Sequence, residues 1–307
     1  MVIRRMYTSC GVNILSDITL PELHESDSTD SFAIRIKQVE VPIDSLSHAT
    51  TIKPYSRFNK EEYYFEVPNV IRLLVQQGTE ISVEFLSADI HFATQFIYSN
   101  AIPVAMLQRK MVLFQASGVL DHEGRTWLFF APPRSGKTSL ALMLHERGYR
   151  FFEDKAVYLK LNDDQVYATS FGPSIHIWKP VIEVQKSFAL SELKPVRQGI
   201  PKFTARLTEG YHSEPVSVRG LLNVENQSAS MRHGPIKQVD AFETLRNAVA
   251  FNHMTADMGM EPEIMKMLAT LIRQSTLIQL DRPKLGESYH ELAEYVDTFI
   301  ISGGYHG

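Results

Sequence analysis

A single cysteine, Cys10, stands in 307 residues. One thiol excludes an internal disulfide and any zinc site built from cysteines, and it fits a reducing cytoplasm. Cys10 itself reads as a small buried apolar residue rather than a nucleophile. Long apolar runs are missing as well. No window approaches the roughly 18 residues that a membrane-crossing helix requires, and the runs at 102–106 and 127–130 are far shorter. Arg4 and Arg5 are followed by no apolar stretch of signal-peptide length, so the expectation is a cytoplasmic chain without a membrane partner. Positive charge is not in excess either: 31 Lys and Arg face 35 Asp and Glu, for a net charge of −4. Without a basic field, nucleic acid is not an expected partner. The eleven histidines show no paired metal-ligand spacing, no Gly-x-Ser-x-Gly elbow supports serine hydrolysis, and no coiled-coil heptad or internal repeat is present. What remains, with 44% hydrophobic and 21% charged residues, is the composition of an ordinary globular protein of one large or two medium domains.

The first hundred residues alternate short apolar runs with turn residues. Residues 7–15 read as one strand, and 32–37, 62–67 and 81–85 as further strands with period-two alternation. Residues 25–30 are polar and read as an exposed loop. From 92 to 110 the pattern is helical with an interruption at Pro103, followed by a strand at 112–120, a turn at 121–124 and a return strand at 125–130. A helix at 139–147 should bury Leu140, Met143 and Leu144 on one face, with His145 facing out and Gly148 as its stop. Residues 149–159 read as one strand, and 172–210 as a Pro- and Gly-punctuated region. Strands at 216–224 and 277–280 follow, with helices through Ile264, Leu268 and Leu271 and through Leu292, Val296 and Phe299. The second part is therefore expected to be mixed α/β.

The segment with most chemical content is Ala131-Pro132-Pro133-Arg134-Ser135-Gly136-Lys137-Thr138. It lies between the apolar run Trp127-Leu128-Phe129-Phe130 and a helical pattern, which is the strand–loop–helix setting of a phosphate-binding loop. The first N–H groups of a helix have no partner within it, so they and the helix dipole favour an anion. Lys137 can reach the outer phosphates of a nucleoside triphosphate, and the Thr138 hydroxyl can occupy one coordination position on magnesium. Arg134, Ser135, Gly136 and Ser139 complete the expected nucleotide-binding set. The first position carries Ala131 rather than Gly, and Pro133 lacks an N–H, so the loop is short of one backbone donor. Arg134 brings a charge of its own.

Three segments together resemble the HPr kinase/phosphorylase family: Phe114-Gln115-Ala116-Ser117-Gly118-Val119, the loop at 131–139, and Arg147-Gly148-Tyr149-Arg150-Phe151-Phe152-Glu153-Asp154-Lys155-Ala156-Val157. The opening at 10–23 looks like the N-terminal signature of the HPr-kinase-like serine kinases, including those that phosphorylate lasso-peptide precursors. The resemblance implies an α/β chain, with a β-rich domain at 1–100 followed at 101–307 by a P-loop domain of the HPr kinase and phosphoenolpyruvate carboxykinase type. It further implies transfer from ATP, with Mg2+, to a serine hydroxyl of a peptide or small protein. The family often assembles, so the resemblance allows a homo-oligomer. The chain departs from the family at Gln115, where His is usual, at Lys155, where a second Asp is usual, and in its Gly-poor loop.

Phosphoryl transfer needs charge neutralisation and alignment more than covalent help. Lys137 and Asp154 are the main catalytic candidates. Asp154 could accept the acceptor's proton or hold magnesium with Thr138, and the sequence leaves both open. Gln115 can hydrogen-bond a water or phosphate but cannot act as a base. Lys202, with Arg197 and Arg206 near it, is a further phosphate contact suggested by the family's basic site. Glu153 reads as solvated. Two rival expectations stand beside a serine kinase: a nucleotide-binding regulator with a degenerate catalytic site, and a structural partner whose loop is a relic.

Overall fold

A computed structural model describes residues 4–27, 31–46, 48–132, 135–154, 156–184, 193–196, 199–206, 212–283 and 289–303. The chain is mixed α/β and rich in strands. It divides into two compact units, one of residues 1–113 with 251–265 and the other of 114–250 with 266–307. The boundary expected near residue 100 leaves 251–265 in the second domain.

The first unit is built on a nine-stranded sheet that runs, edge to edge, through His24–Glu25, Arg5–Ser9, Val12–Ser16, Ile34–Gln38, Glu80–Phe85, Ile71–Gln76, Glu62–Val67, Ser56–Phe58 and Thr51–Lys53. The segment expected as one strand at 7–15 is a hairpin. Cys10 adopts a left-handed φ of 54°, and a two-residue turn of that hand matches the twist of the flanking strands. In Ile71–Gln76 alternate residues are buried, the pattern of a sheet with one covered face. The expected break at Pro103 falls earlier. Ile90–Phe96 is α-helical, Ile97–Ala101 forms a π-turn, and Ile102–Gln108 resumes the α-helix with Pro103 in its first turn, where its missing N–H costs nothing.

The second unit centres on a mixed sheet. Val157–Asn162, Gln165–Thr169, Val216–Ser228, Thr126–Phe130, Ala116–Leu120 and Arg150–Glu153 lie side by side, and Thr276–Pro283 pairs with Val216–Ser228. Thr126–Phe130, Val216–Ser228 and Thr276–Pro283 run parallel to one another, so their carboxyl ends share one edge of the sheet. Helix Lys137–Glu146 packs on this sheet and on helix Tyr289–Val296. Its burial is wider than one stripe: Leu140, Ala141, Leu142, Met143 and Leu144 are all within the core, because a second helix covers the side that a surface helix would leave wet. His145 is half-buried, its Nδ1 2.8 Å from the Tyr149 carbonyl, rather than facing out. Trp127 shares this core, and the close approach of its ring requires Gly220 opposite it in the parallel register; a methyl there would collide with the indole.

Two further expectations are corrected. The punctuated region beyond 172 contains a three-stranded sheet, Ser174–Trp178, Lys202–Arg206 and Lys194–Pro195, and a helix, Lys179–Val184. Phe299 is 53% exposed and Ile300 is buried, because a π-turn at Asp297–Ile301 advances the inward phase by one residue.

Candidate functional site

Strand Thr126–Phe130 delivers the chain into the 131–136 loop, and helix Lys137–Glu146 begins directly after it. Gly136 caps that helix with φ 91°, a left-handed conformation that glycine adopts without strain. Its Cα faces two side chains from the other end of the unit: a methyl on Gly136 would meet Tyr289 Cε1 at 3.1 Å and Arg282 Nη1 at 3.3 Å. The Ser135 side chain is buried, and its Oγ has no hydrogen-bond partner among the described residues. Lys137 turns back on the loop, donating to the carbonyls of Ala131 at 2.8 Å and Pro132 at 3.0 Å. Burial holds its ammonium pKa below the usual lysine value.

Asp154 joins this corner because the stretch expected as one strand at 149–159 breaks there. Arg150–Glu153 pairs with Ala116–Leu120, while Val157–Asn162 pairs with Gln165–Thr169. At the break, the Asp154 carbonyl accepts from the Thr138 hydroxyl at 3.3 Å and from Ser117 Oγ. The Asp154 carboxylate is 3% exposed. Its Oδ2 accepts from the His176 N–H at 2.7 Å, and its Oδ1 is buried without a hydrogen-bond partner among the described residues. An oxygen left so inside a protein carries a desolvation cost, and native structures keep such groups mainly where a ligand, water or ion is used. Glu153 is not solvated, as the sequence suggested, but 4% exposed. Its two oxygens accept from the N–H groups of Asp154 and Phe171 at 2.8 and 2.7 Å, so it stitches two backbone segments beside the corner.

A cleft of about 310 Å³ adjoins the start of the loop, lined among others by Gln115, Ala131, Pro132, Glu225 and Asn247. Gln115 is exposed there, held by its own N–H to the Ala248 carbonyl at 2.7 Å. On the cleft wall, toward the carboxyl ends of the parallel strands, Asn223 donates to Glu225 Oε1 and to Gln279 Oε1, both at 2.9 Å, and Gln279 donates to Asp281 Oδ1 at 2.9 Å. Two amides thereby orient two carboxylates. The sequence reading missed these four residues and Arg282. The available signal was polar residues at alternate positions near the end of apolar strands, which is where ligands bind in open α/β sheets.

Of the expected site residues, the structure brings Ser135, Gly136, Lys137 and Thr138 together with Asp154, and sets Gln115 on the neighbouring cleft. Ser139 is buried in the first helical turn. Lys202 lies on the three-stranded sheet with its ammonium 5.6 Å from the Trp178 ring centroid; this sheet meets the corner through His176. Arg134, Lys155 and Arg197 lie outside the described residues. Among the described residues, no group of three or more His, Cys, Asp and Glu is placed to hold a metal, and no helix is long and apolar enough to cross a membrane.

No family model matches the chain, and no curated protein matches it. Among solved structures it is similar to the HPr(Ser) kinase/phosphatase from Coxiella burnetii, with a TM-score of 0.31 and 12% identity, over 62% of this chain and 95% of that one. A likeness of that size establishes neither the fold family nor the activity.

Proposed function

We propose that this chain is an ATP-dependent kinase that transfers a phosphoryl group to a serine hydroxyl of a peptide or small protein, with a lasso-peptide precursor as the first acceptor to test. The observation that carries the reading is the corner itself: a strand, a loop closed by left-handed Gly136, a helix that starts with Lys137 and Thr138, and the Asp154 carboxylate buried next to that helix with one oxygen to spare. The free N–H groups of the first helical turn suit a phosphate chain. The buried Ser135 hydroxyl and Asp154 Oδ1 offer polar atoms that a nucleotide and its metal would satisfy. Thr138 and Asp154 would hold magnesium, which when bound neutralises charge on the transferred group. Lys137 neutralises the outer phosphates after leaving the loop carbonyls, Lys202 supplies a second cation, and Asp154 or the metal it holds orients the acceptor hydroxyl.

A nucleotide-binding regulator is favoured by one observation. Gln115, exposed on the cleft at the position where the resemblance expects His, has an amide that cannot take a proton. One experiment separates the readings. Protein, Mg2+ and ATP are incubated with serine-bearing peptides, among them a lasso precursor, and mass spectrometry follows the gain of phosphate. Transfer that Lys137→Ala abolishes supports the kinase. Tight ATP binding without transfer to any acceptor selects the regulator, and no binding of ATP, ADP or GTP with Mg2+ removes both.

A further inference from the structure

The loop at 131–138 is poor in backbone donors. Pro132 and Pro133 have no N–H, and only one glycine is present. A phosphate chain held there needs positive charge from elsewhere. Arg282, at the carboxyl end of strand Thr276–Pro283, brings a guanidinium to the loop: its Nη1 lies 3.3 Å from the position a methyl on Gly136 would take. No sequence motif marks it, and it lies about 145 residues further along the chain than the loop it approaches. Beside it, the buried Ser135 hydroxyl has no hydrogen-bond partner among the described residues, so the loop carries an unused polar group as well as a cation.

We propose that Arg282 is a phosphate-binding residue of this loop, a side-chain cation that replaces the missing backbone donors and grips the polyphosphate of the nucleotide across Gly136. The proposal rests on the reading of the loop as a nucleotide site and adds to it the source of its affinity. A planar guanidinium gives two parallel donors to phosphate oxygens, which an ammonium cannot. Specificity follows: affinity should rise with the number of phosphates and depend little on the base.

Titration calorimetry of the full chain with Mg2+ tests this, using ATP and inorganic tripolyphosphate as probes for wild type, Arg282→Gln and Arg282→Lys. Loss of a charged hydrogen-bond pair weakens binding by about ten- to a hundredfold. Arg282→Gln should therefore weaken both probes by about that factor and flatten their salt dependence, with Arg282→Lys in between. A merely structural role would not change the salt slope. If the Gln variant does not fold, Arg282→Met, which keeps the volume of the stem, takes its place. Wild type that binds both probes while the neutral variant binds within about twofold of it, at an unchanged salt slope, overturns this inference alone. Wild type that binds neither probe overturns it together with the nucleotide reading.

Discussion

Replacing Asp154 by Asn tests whether the carboxylate is a clamp or a working group. The clamp is visible: Oδ2 takes the His176 N–H at 2.7 Å and ties strand Ser174–Trp178 to the corner. An amide can keep that bond through its oxygen, but a neutral acceptor is about half as strong as a charged one, a loss of about 1 kcal/mol. Its NH2 then falls where Oδ1 now lies buried without a partner, and unsatisfied donors there cost about 1–3 kcal/mol. The fold should lose about 2–4 kcal/mol, a fall in Tm of about 4–16 °C for a domain of this size. Transfer, assayed well below that Tm, should fall by far more, about 10²–10⁴-fold in kcat, if the group takes the proton. The magnesium dependence separates the two roles left open. A raised magnesium requirement with kcat recovered at saturation marks a metal ligand, whereas a low kcat at every magnesium concentration marks the proton acceptor. A variant that melts lower yet transfers phosphate within about twofold of wild type at all magnesium concentrations would show that Asp154 only holds strands together, and the reasoning from its spare oxygen would fail.

Gly220→Ala should destabilise the second unit by about 1–3 kcal/mol or more, since the methyl meets the Trp127 ring; Trp127→Leu in the same chain should return part of that loss, a coupling that a double-mutant cycle of thermal melts measures. ATP affinity should weaken with rising pH at values below those of an ordinary lysine, because burial lowers the Lys137 pKa and only the charged amine attracts phosphate; calorimetry across alkaline pH checks it, and a flat wild-type profile, or a slope that persists in Lys137→Met, removes Lys137 from the site. Stability should fall as pH rises above 10. Burial holds the proton on Tyr63 and pushes the Tyr149 pKa up to about 12, so the unfolded chain loses these protons first and is favoured between the two values. Melts at pH 9 to 11 follow this loss, and Tyr149→Phe should make it shallower.

The strand–loop–helix layout around 131–138 was legible because its signals are local: an apolar run, a glycine and a helical pattern need no knowledge of the rest of the chain. Strand existence was legible at 32–37, where alternate residues of Ile34–Gln38 are buried, and also at 62–67 and 81–85, although three consecutive residues are buried in each of those strands. What failed was continuity. An apolar pattern at 149–159 cannot reveal that the chain turns out of one strand pair and into another at Asp154, since buried apolar residues stand on both sides of the break, Phe151 and Phe152 before it and Val157, Tyr158 and Leu159 after it. Glu153 was misjudged for the same reason. A glutamate on a strand is normally wet, and only the return of Phe171 and the turn at Asp154 give it two backbone donors. The π-turn at 297–301 shifted a buried phase that a 3.6-residue period assigns wrongly. The Asn223–Gln279 pair and Arg282 depend on which strands become neighbours, and that follows from parallel pairing across more than fifty residues.

The state of Lys137 says how a phosphate would enter. Its ammonium donates to two loop carbonyls, Ala131 and Pro132, so the loop satisfies its own lysine. A polyphosphate must take the lysine from these carbonyls. The exchange is favourable, because hydrogen bonds to a charged acceptor are about twice as strong as those to a neutral one. It also favours the charged form of the lysine by giving its buried ammonium a counter-charge. The two carbonyls, in turn, are released next to the cleft that they line. The lysine that bonds the two loop carbonyls is thus the group that a triphosphate would recruit, and replacing it should leave the protein folded while removing its response to ATP.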